Sequence, residues 1–572
     1  KPFPKSKLNI LLFGNGICCL LASAYALAVY TIYKNPFCKW YKRDKSGQKN
    51  LNAIFTGIFA GLLFCTSRTL WAYATVAEVY TLNTFLIALL VFCLLRWQRF
   101  LLSHNPNSGK AEKRPIALAA NENRWLYASA LIFGLALGVH HVTVALVLPA
   151  CAAFVLATHG VRFFFSRRLL TAAGFAFLGL GIYIYLPLTA ASKPLMNWGD
   201  PSSIANFISH VTGRQYQVYF EFQPTKLLGD FLSRLLVEFG PSWFPLALAL
   251  AFLGLIHLFL RAQRLFWFFC VAIILNLTYN TTYEIAEDKD AYYLPVHLFV
   301  VLCSSAGLQF LLTEITANFR LRLAQKCLVF SLCTAILSIS LATNYSWNNR
   351  RNYYVAEDYV RNILSTIAPS GMIISTDWQV YSPMLYFQEI EKLREDVVVI
   401  DINQLRRSWY FEFLERSYPK TMNAARSQVE AFLEDLKKWE RDPELYQRDV
   451  TLNQRISERF RELVLAFIRN HQHIAPVYLT LELASGRIDS ADSEWVQAVL
   501  QKYQLVPQGL VFELFDDWNF HEPALPAFVT RGLSDNSLRF APDDVVSIKI
   551  LPVYAAMAYN RARYLEAAGR QQ

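Results

Sequence analysis

Four short polar segments of an otherwise apolar sequence hold side chains suited to acid–base chemistry. "SRTLWAYATVAEVY" contains Glu78, and "GLALGVHHVTVALVLP" contains the adjacent pair His140 and His141. "NWGDP" contains Asp200, and "EDKDAYYLP" contains Asp290. Carboxylates and imidazoles exchange protons with substrates, and neighbouring basic groups can hold a phosphate. Together these segments predict a site that binds a polar head group and transfers protons.

Three carboxylates are the candidate catalytic groups: Glu78, Asp288 and Asp290. The candidate substrate- and donor-binding residues lie in or beside the polar segments, and they are Arg68, Trp71, Tyr80, His140, His141, Trp198, Asp200, Arg214, Tyr216 and Asn280. The sequence has no Cys-x-x-Cys motif or cysteine–histidine cluster of the kind that binds zinc, so no metal and no cofactor are predicted.

Each candidate also has a plainer interpretation. Glu78 and Arg68 would suit a structural ion pair as well as catalysis. His140 and His141 could form a metal site, but adjacent side chains point apart on a helix, so turn formation and hydrogen bonding are favoured. Asp200 stands between a glycine and a proline and is first of all a turn residue. The charges around Asp290 are also typical of a solvated loop.

The elements that must position these residues are predicted to be membrane helices. Of 572 residues, 54% are hydrophobic and 17% are charged, which is typical of a polytopic α-helical membrane protein. Hydropathy falls after Tyr345, so we predict a multi-span domain over 1–345 and a soluble α/β plus helical domain over 346–572. About ten apolar runs are long enough to span a bilayer, near 8–33, 51–70, 79–97, 124–140, 141–158, 168–188, 241–260, 265–280, 291–313 and 324–345.

Basic residues lie in every second connection between the predicted spans, most densely in 34–50 and 96–124. Because basic loops stay in the cytoplasm, the intervening connections and the soluble domain should face the other side. The four polar segments then share one non-cytoplasmic membrane face. The net charge of +11 divides into about +16 before residue 346 and about −5 after it. That division follows membrane topology and does not favour nucleic-acid binding.

The residues before the first predicted span disagree with this topology. Lys1, Lys5 and Lys7 would lie on the non-cytoplasmic side. A chain that enters the membrane from that side needs an earlier span or a signal sequence, so we expect one more span upstream of residue 1.

The soluble domain is predicted to begin with a βαβ unit. A helix over 355–367 precedes the buried strand "MIIST", a helix over 380–393 and the buried strand "DVVVIDI". This order indicates a parallel sheet, with Asp377 and Trp378 at a strand end where α/β folds place ligand groups. Later patterns predict charged helices over 424–470, short strands near 476–482 and 509–515, and a final helix over 545–569.

Two stretches of the long loop 189–240 have apolar residues at helical spacing, at 204–211 and 226–236. They predict interfacial helices that lie along the membrane surface. A packed loop is the alternative.

Five motifs occur in order and at suitable spacing: "RTLWAYATVAEVYTLN", "GLALGVHHVTVALVLP", "IYLPLTAASKPLMNWGDP", "HVTGRQY" and "DKDAYYLP". Together they resemble the transmembrane O-mannosyltransferase family of the endoplasmic reticulum, which acts on IPT domains of plexins and related receptors, and its bacterial relatives. "STDWQVYSPMLYFQEIEKLREDVVVIDINQLRRSWY" is similar to the start of the family's soluble region. The resemblance covers roughly 8–420.

The resemblance implies an inverting GT-C glycosyltransferase. It would move a hexose such as mannose from a polyprenyl-phosphate donor in the membrane lipid to a protein serine or threonine, or to a glycan or lipid acceptor, on the non-cytoplasmic side. A carboxylate would deprotonate the acceptor, Arg68 and Arg214 would contact phosphate, and Glu78 would face the acceptor or support the site. The residues that would line the sugar or acceptor site are His140, His141, Asp200, Asp288 and Asp290.

The chain departs from the family pattern in one respect. The family carries an aspartate–glutamate pair in its first exoplasmic loop, and this sequence begins just after the matching position, so we expect that catalytic pair upstream of residue 1. Two alternatives stay open: a transporter or flippase of a lipid-linked sugar, and a non-catalytic membrane scaffold if the pair is absent. The cysteine-free soluble domain favours a bacterial inner membrane with that domain in the periplasm; a eukaryotic protein would lie in the endoplasmic reticulum membrane.

Overall fold

The computed structural model describes residues 48–76, 78–103, 116–214, 229, 246–283, 289–312, 322–485, 493–541 and 544–570. The chain divides into two compact units. The first unit ends at Tyr185 and resumes from Gly213 to Asn349, and the second combines Leu186–Thr212 with Arg350–Gln572. The second unit therefore takes up a segment from inside the predicted multi-span region. The assignment of these regions to the membrane and to the exoplasmic side stays a prediction.

The described chain before residue 350 is helical. Its α-helices are α1 (Gln48–Cys65), α2 (Arg68–Ala74), α3 (Tyr80–Ser103), α4 (Ile116–Ala145), α5 (Leu148–His159), α6 (Arg167–Leu180), α7 (Tyr185–Ala191), α8 (Ile204–Val211), α9 (Leu246–Arg261), α10 (Gln263–Thr282), α11 (Leu294–Phe310) and α12 (Arg322–Asn348). Short 3-10 helices cover Val161–Phe165, Gly181–Ile184 and Lys289–Tyr293.

Helices of the kind found in multi-pass membrane proteins make up most of the first unit. Within the described residues, six helical segments are long and apolar enough to cross a bilayer. They are Tyr80–Leu101, Asn123–Ala145, Arg167–Ala191, Gln263–Thr282, Lys289–Phe310 and Cys327–Asn348. A seventh candidate, Asn52–Cys65 with Arg68–Ala74, is bent by 65°, and Leu148–His159 and Ala247–Arg261 are shorter apolar helices. The total of ten spans stays a prediction, and the first of them, near 8–33, lies outside the described residues.

The predicted turn at His140 and His141 is wrong. Helix α4 continues through both residues to Ala145, and the chain turns only at residues 146 and 147. His140 forms a break inside the helix, with φ −151° and ψ 86°. The better signal for the helix boundary is Pro149 in the first turn of α5, where a proline costs no hydrogen bond and fixes a helical φ.

Pairs of glycines let helices of the first unit approach each other closely. A Cβ atom added to Gly254 of α9 would lie 1.8 Å from the Cys303 carbonyl oxygen of α11, and one added to Gly307 would lie 1.9 Å from the Leu250 oxygen. Gly134 of α4 meets α6 in the same way, with its added Cβ 2.0 Å from the Ala176 oxygen. Any side chain at these glycines would force the backbones apart.

Short polar side chains add hydrogen bonds between the helices of the first unit. The Ser304 hydroxyl of α11 donates to the Ala247 carbonyl oxygen of α9 over 3.0 Å. The Asn344 amide of α12 donates to the carbonyl oxygen of Thr66, which lies between α1 and α2, over 2.6 Å. Buried polar groups that are paired in this way stabilise helix association in lipid, where the hydrophobic effect does not drive helices together.

A five-stranded sheet forms the centre of the second unit, with strand order β2–β1–β3–β5–β4. The strands are β1 (Met372–Ser375), β2 (Val398–Asp401), β3 (Val477–Leu479), β4 (Gln504–Gln508) and β5 (Val511–Phe515). Strand β1 pairs in parallel with both β2 and β3, with Met372 opposite Val398 and Val477. Every residue of β1, β2 and β3 is buried, which explains their unbroken apolar sequences.

Helices flank this sheet and complete the core of the second unit. They are α13 (Val355–Thr366), α14 (Trp378–Glu389), α15 (Ser408–Ser417), α16 (Pro419–Ala424), α17 (Arg426–Arg441), α18 (Pro443–Arg448), α19 (Val450–Gln472), α20 (Leu481–Ala484), α21 (Ser493–Lys502) and α22 (Val545–Ala567). Large aromatic side chains fill the core, and Tyr359, Tyr381, Tyr410 and Trp495 are each at most 1% exposed.

The predicted βαβ unit and its parallel sheet are confirmed. The predicted helices over 355–367 and 545–569, the strands near 476–482 and 509–515 and the helix over 204–211 are also present. Strand β4 was not predicted, because Pro507 and three glutamine or glycine neighbours break its pattern. It forms an antiparallel hairpin with β5 around Gly509, whose φ is +57°. The predicted helix over 226–236 lies outside the described residues.

Candidate functional site

A carboxylate and a phenol lie together in the first unit. The Tyr73 hydroxyl donates a hydrogen bond to Asp290 Oδ1 over 3.1 Å. Tyr73 stands in the last turn of α2 and is buried, whereas Asp290 lies in the 3-10 turn before α11 and is partly exposed. The bond joins two segments that are 217 residues apart in sequence and fixes one oxygen of a carboxylate that solvent can reach.

Aromatic rings surround this pair. The ring of Tyr80 lies 5.1 Å from that of Tyr73, 5.6 Å from that of His140 and 5.8 Å from that of Tyr292. The rings of His140 and Tyr292 meet edge to face at 4.8 Å. We call Tyr73, Tyr80, His140, Asp290 and Tyr292 the tyrosine–histidine cluster. The cluster lies where the carboxyl-terminal parts of α2 and α4 meet the amino-terminal ends of α3 and α11.

The break at His140 supplies the imidazole of this cluster. Its Nδ1 lies 3.0 Å from the Thr143 hydroxyl, which also accepts a hydrogen bond from the Asn83 amide over 2.9 Å. Since the backbone leaves the helical conformation at this residue, the rings of His140 and His141 lie 6.5 Å apart and 19° from parallel. Hydrogen bonding at His140 is what its plainer interpretation favoured.

Asn280 supports the cluster from α10. Its amide donates to the Tyr292 carbonyl oxygen over 2.7 Å, and the residue is 1% exposed. Its Oδ1 atom is buried and accepts no hydrogen bond within the described part of the chain. A buried amide of this kind holds the Tyr292 backbone in place and offers one acceptor to a bound group.

Arg68 and Trp71 lie apart from the cluster, against helix α12. The Arg68 guanidinium stands over the Trp347 ring at 4.4 Å from the ring centroid. The Trp71 and Tyr345 rings are 6.3 Å apart. These contacts attach α2 to the end of α12, and both residues stay partly exposed.

The remaining predicted residues are distributed more widely. Glu78 is exposed in the segment between α2 and α3, and Arg214 is exposed at the end of its described segment. Asp288 and Tyr216 lie outside the described residues. The ion pair between Glu78 and Arg68 stays a prediction.

Trp198 and Asp200 belong to the second unit and do not join the cluster. The Trp198 ring lies 4.7 Å from that of Trp409 and 6.1 Å from that of Trp378. Asp200 has φ +38° and accepts a hydrogen bond from the Asn197 amide over 2.9 Å. This is the turn geometry that its plainer interpretation predicted.

The strand ends of the second unit form another polar group. Asp377 follows β1 and caps α14 by accepting a hydrogen bond from the Gln379 amide over 2.9 Å. Asp401 ends β2, is 1% exposed and accepts from the Gln404 amide over 2.8 Å. Burial, with the charge of Asp377 adding to it, raises the pKa of Asp401 to about 6.

The sequence is similar to known proteins over part of its length. Residues 1–162 match the family model of the protein O-mannosyl-transferase TMEM260 N-terminal domain. A protein O-mannosyl-transferase tmem260 of Dictyostelium discoideum is 20% identical over 394 residues, which cover 63% of this chain and 47% of the relative. Protein O-mannosyl-transferase TMEM260 of Mus musculus is 23% identical over 381 residues, 64% of this chain and 51% of the relative.

The resemblance to the transmembrane O-mannosyltransferase family is confirmed. The matched amino-terminal segment includes Tyr73, Tyr80 and His140 of the cluster. Asp290 and Tyr292 lie beyond it. The chain spans about half the length of the curated relatives it matches.

The candidate residues selected from the sequence did not include Tyr73 or Tyr292. Both stand in motifs that carry the resemblance to the O-mannosyltransferase family, and each lies two residues from a selected one. Tyrosines are frequent at membrane interfaces, so residue type did not distinguish them. In the described parts of the chain, no three histidine, cysteine, aspartate or glutamate side chains are grouped as metal ligands.

Proposed function

We propose that the protein transfers a mannosyl group from a polyprenyl-phosphate donor to a serine or threonine of a polypeptide, on the non-cytoplasmic side of a membrane. The names of the relatives support the reaction class. The observation that carries the position of the site is the Tyr73–Asp290 hydrogen bond inside a group of aromatic and imidazole side chains.

The reaction forms one bond and breaks one. The acceptor hydroxyl oxygen attacks the anomeric carbon of the sugar, and the bond from that carbon to the phosphate oxygen breaks. The hydroxyl proton passes to a carboxylate, and polyprenyl phosphate leaves with the bonding electron pair. Attack from the face opposite the phosphate inverts the anomeric centre.

In this proposal Asp290 contacts the reacting sugar or acceptor. Its Oδ1 is oriented by Tyr73, which leaves the carboxylate in one position for a proton or a sugar hydroxyl. His140 and Asn280 supply hydrogen bonds to the donor, and Arg68 and Arg214 stay candidate ligands of its phosphate. Glu78 and Asp288 are the other candidate carboxylates.

Reconstituted transfer tests the reaction. The full-length gene product in lipid nanodiscs would be incubated with polyprenyl-phosphate [14C]mannose and a serine- and threonine-rich acceptor polypeptide. We expect label on the polypeptide that alkaline β-elimination releases, and no label from a nucleotide-sugar donor alone. Movement of the lipid-linked sugar across proteoliposomes without transfer would instead establish the transporter alternative.

Substitution of Asp290 and Tyr73 tests the position of the site. Asp290→Asn should lower kcat for transfer by about 100-fold or more, because it removes a carboxylate at the reacting centre. Tyr73→Phe should lower kcat by about tenfold, because the carboxylate loses one orienting hydrogen bond. Single-turnover transfer assays measure both effects.

Tyr127→Phe is the matched control. Tyr127 lies on α4, the same helix as His140, and its ring stacks on that of Phe175. Its substitution should leave transfer unchanged. Equal rates for Tyr73→Phe, Asp290→Asn and the unmodified protein would remove the cluster from the active site.

A further inference from the structure

A chain of hydrogen bonds from α3 holds the imidazole of His140. Its Nδ1 lies 3.0 Å from the Thr143 hydroxyl oxygen, and the Asn83 amide donates to the same oxygen over 2.9 Å. Thr143 is 1% exposed and Asn83 is 2% exposed, so both contacts are shielded from water. The chain of bonds ties the break in α4 to a buried amide of the neighbouring helix.

The protons of this chain of bonds decide which nitrogen of His140 carries hydrogen. The Thr143 hydroxyl has one proton, which it donates to the His140 carbonyl oxygen over 3.5 Å. Its oxygen has two lone pairs, and the Asn83 amide takes one of them. The second lone pair is left for a proton on His140 Nδ1.

The backbone of His140 favours the same tautomer. The imidazole also hydrogen-bonds the carbonyl oxygen of its own residue, and Nδ1 is the ring nitrogen close enough to the backbone to reach it. A nitrogen that faces two oxygens carries the proton, because both would repel its lone pair. In a neutral imidazole a proton on Nδ1 makes Nε2 an acceptor. Nε2 makes no hydrogen bond to the residues that the structure describes.

Two further atoms at the cluster are also acceptors. Asn280 Oδ1 is buried and lacks a donor among the described residues, whereas the amide nitrogen of Asn280 donates to the Tyr292 carbonyl oxygen. Asp290 accepts from the Tyr73 hydroxyl with one carboxylate oxygen and has a second oxygen. Buried polar atoms are normally paired, so the unpaired Asn280 oxygen indicates a donor group that binds beside Tyr292.

We propose that the tyrosine–histidine cluster binds hydroxyl groups of the hexose, and that His140 accepts a hydrogen bond from one of them through Nε2. Thr143 and Asn83 are then positioning residues that hold His140 in this tautomer. A hydroxyl donates a hydrogen bond, whereas a phosphodiester only accepts. The acceptors His140, Asn280 and Asp290 therefore suit the sugar of the donor and not its phosphate. The inference rests on the proposed function, which supplies the hexose.

The other tautomer would reverse the chemistry of the site. A proton on Nε2 would make His140 a donor, which suits a phosphate oxygen. The same tautomer would place the lone pair of Nδ1 against the carbonyl oxygen of His140. The two tautomers therefore predict different ligands.

Nitrogen NMR of the imidazole tests the tautomer. The full-length protein in lipid nanodiscs would be labelled with [15N]histidine, and the signals of His140 would be identified by their loss in His140→Gln. Protonated and unprotonated ring nitrogens have well-separated 15N shifts, and we expect a protonated Nδ1 and an unprotonated Nε2. A proton on Nε2, alone or together with one on Nδ1, would overturn the proposal.

Variants of Thr143 test the positioning role. Thr143→Val removes the hydroxyl that accepts the Nδ1 proton, so signals of both tautomers should be present, and Thr143→Ser should restore the original spectrum. Thr281→Val is the matched control, because the buried Thr281 hydroxyl bonds the Leu277 and Thr278 carbonyl oxygens of its own helix α10. An unchanged His140 spectrum in Thr143→Val would contradict the positioning role.

Binding of donor analogues tests the ligand. The probes are polyprenyl-phosphate mannose and its deoxyfluoro analogues at carbons 2, 3, 4 and 6, in which fluorine replaces a hydroxyl and cannot donate. At least one analogue should bind at least about tenfold more weakly than the mannose donor. Thr143→Val should reduce that difference to less than about threefold, and Thr281→Val should preserve it. Binding is measured instead of transfer, because fluorine on the sugar also slows departure of the phosphate.

The outcomes separate this inference from the proposed function. Equal affinities for all the donors, or a difference that Thr143→Val leaves unchanged, would contradict the inference even if the protein transfers mannose. Binding that depends on a sugar hydroxyl and on Thr143, by a protein that transfers no mannose, would uphold the inference and contradict the proposed function.

Discussion

The two units of this chain differ in how closely their backbones approach. In the first unit, helices approach until backbone meets backbone, as at Gly254 and Gly307. Both units bury large aromatic side chains, such as Trp97 in the first and Tyr381 and Trp495 in the second. Water drives large apolar groups together, whereas lipid does not, so membrane helices depend in addition on small residues for contact. Glycine-mediated helix contact, and not the size of the buried side chains, thus distinguishes the first unit.

The two units also treat polar groups differently. The first unit relies on neutral hydrogen bonds such as Asn83 to Thr143. The second unit uses ion pairs, and the fully buried Asp435 carboxylate meets the guanidinium groups of Arg455 and Arg459. A charge is far costlier to bury in lipid than beside water. Substitutions at packed glycines of the first unit and at buried charged groups of the second should therefore have large effects on the free energy of unfolding.

The largest effect is expected from Gly307→Ala. One added methyl group would lie 1.9 Å from the Leu250 carbonyl oxygen, so α9 and α11 must separate along the length of their contact. We expect a loss of at least about 3 kcal/mol in unfolding free energy. Thermal unfolding of the purified protein in detergent measures it.

Gly174→Ala is the matched control for that experiment. No atom lies within 4 Å of a Cβ added to this glycine of α6. Its substitution should leave stability unchanged or raise it by up to about 1 kcal/mol, because alanine favours a helix more than glycine does. Similar losses for both variants would show that glycine contacts do not set the packing of the first unit.

Asp401→Asn should produce the second largest effect, and only at higher pH. The folded-state pKa of Asp401 is about 6, above its ordinary value of 3.8. The stability this group contributes is therefore complete below about pH 4 and is lost as pH rises through 6, by about 3 kcal/mol. The variant should be more stable than the unmodified protein at pH 7.5, with no difference at pH 4.

Hydrogen exchange of the β1 and β2 amides in the full chain measures this pH dependence. Asp396→Asn provides the opposite sign, since the hydrogen bond from Arg394 lowers the pKa of Asp396 to about 2. That contribution is present above the ordinary pKa and is lost as pH falls through 2. A stability profile for Asp401→Asn that stays parallel to that of the unmodified protein would contradict a raised pKa.

The smallest of these effects is expected from Arg394→Gln. The Arg394 guanidinium donates to carbonyl oxygens at the end of α13, including Ile367 and Ala368 at 3.0 Å each. The side chain is 25% exposed, so water replaces part of what is lost, and we expect about 1–2 kcal/mol. Arg448→Gln, at a fully solvated pair with Glu444, should cost less than about 0.5 kcal/mol in the same urea titration.

The sequence predicted the second unit's sheet better than it predicted the helix boundaries of the first. Strands β1 and β2 are short apolar runs between turn residues, a pattern that usually indicates a buried strand. In the first unit, apolar residues continue through 123–158, so hydropathy located the helices but placed the turn at His140 instead of after Ala145. A long-range feature, the attachment of Leu186–Thr212 to the second unit, has no signal in local pattern.

The candidate site was predicted in part. Tyr80, His140, Asp290 and Asn280 were selected from residue type and predicted membrane side, and the structure brings them together. Arg68 and Trp71 come from the same motif as Tyr80 but lie against α12, because helical spacing places them on the side of α2 opposite Tyr73.

The attachment of Leu186–Thr212 to the second unit has a consequence for synthesis. Trp198 leaves the ribosome before its partners Trp378 and Trp409, with the whole of 213–349 between the two parts of the unit. At typical elongation rates the delay between Trp198 and Trp378 lasts roughly 9–36 s. Throughout it the segment carries an indole with no docking surface, so a nascent chain that stalls before β1 presents an apolar segment to chaperones and proteases.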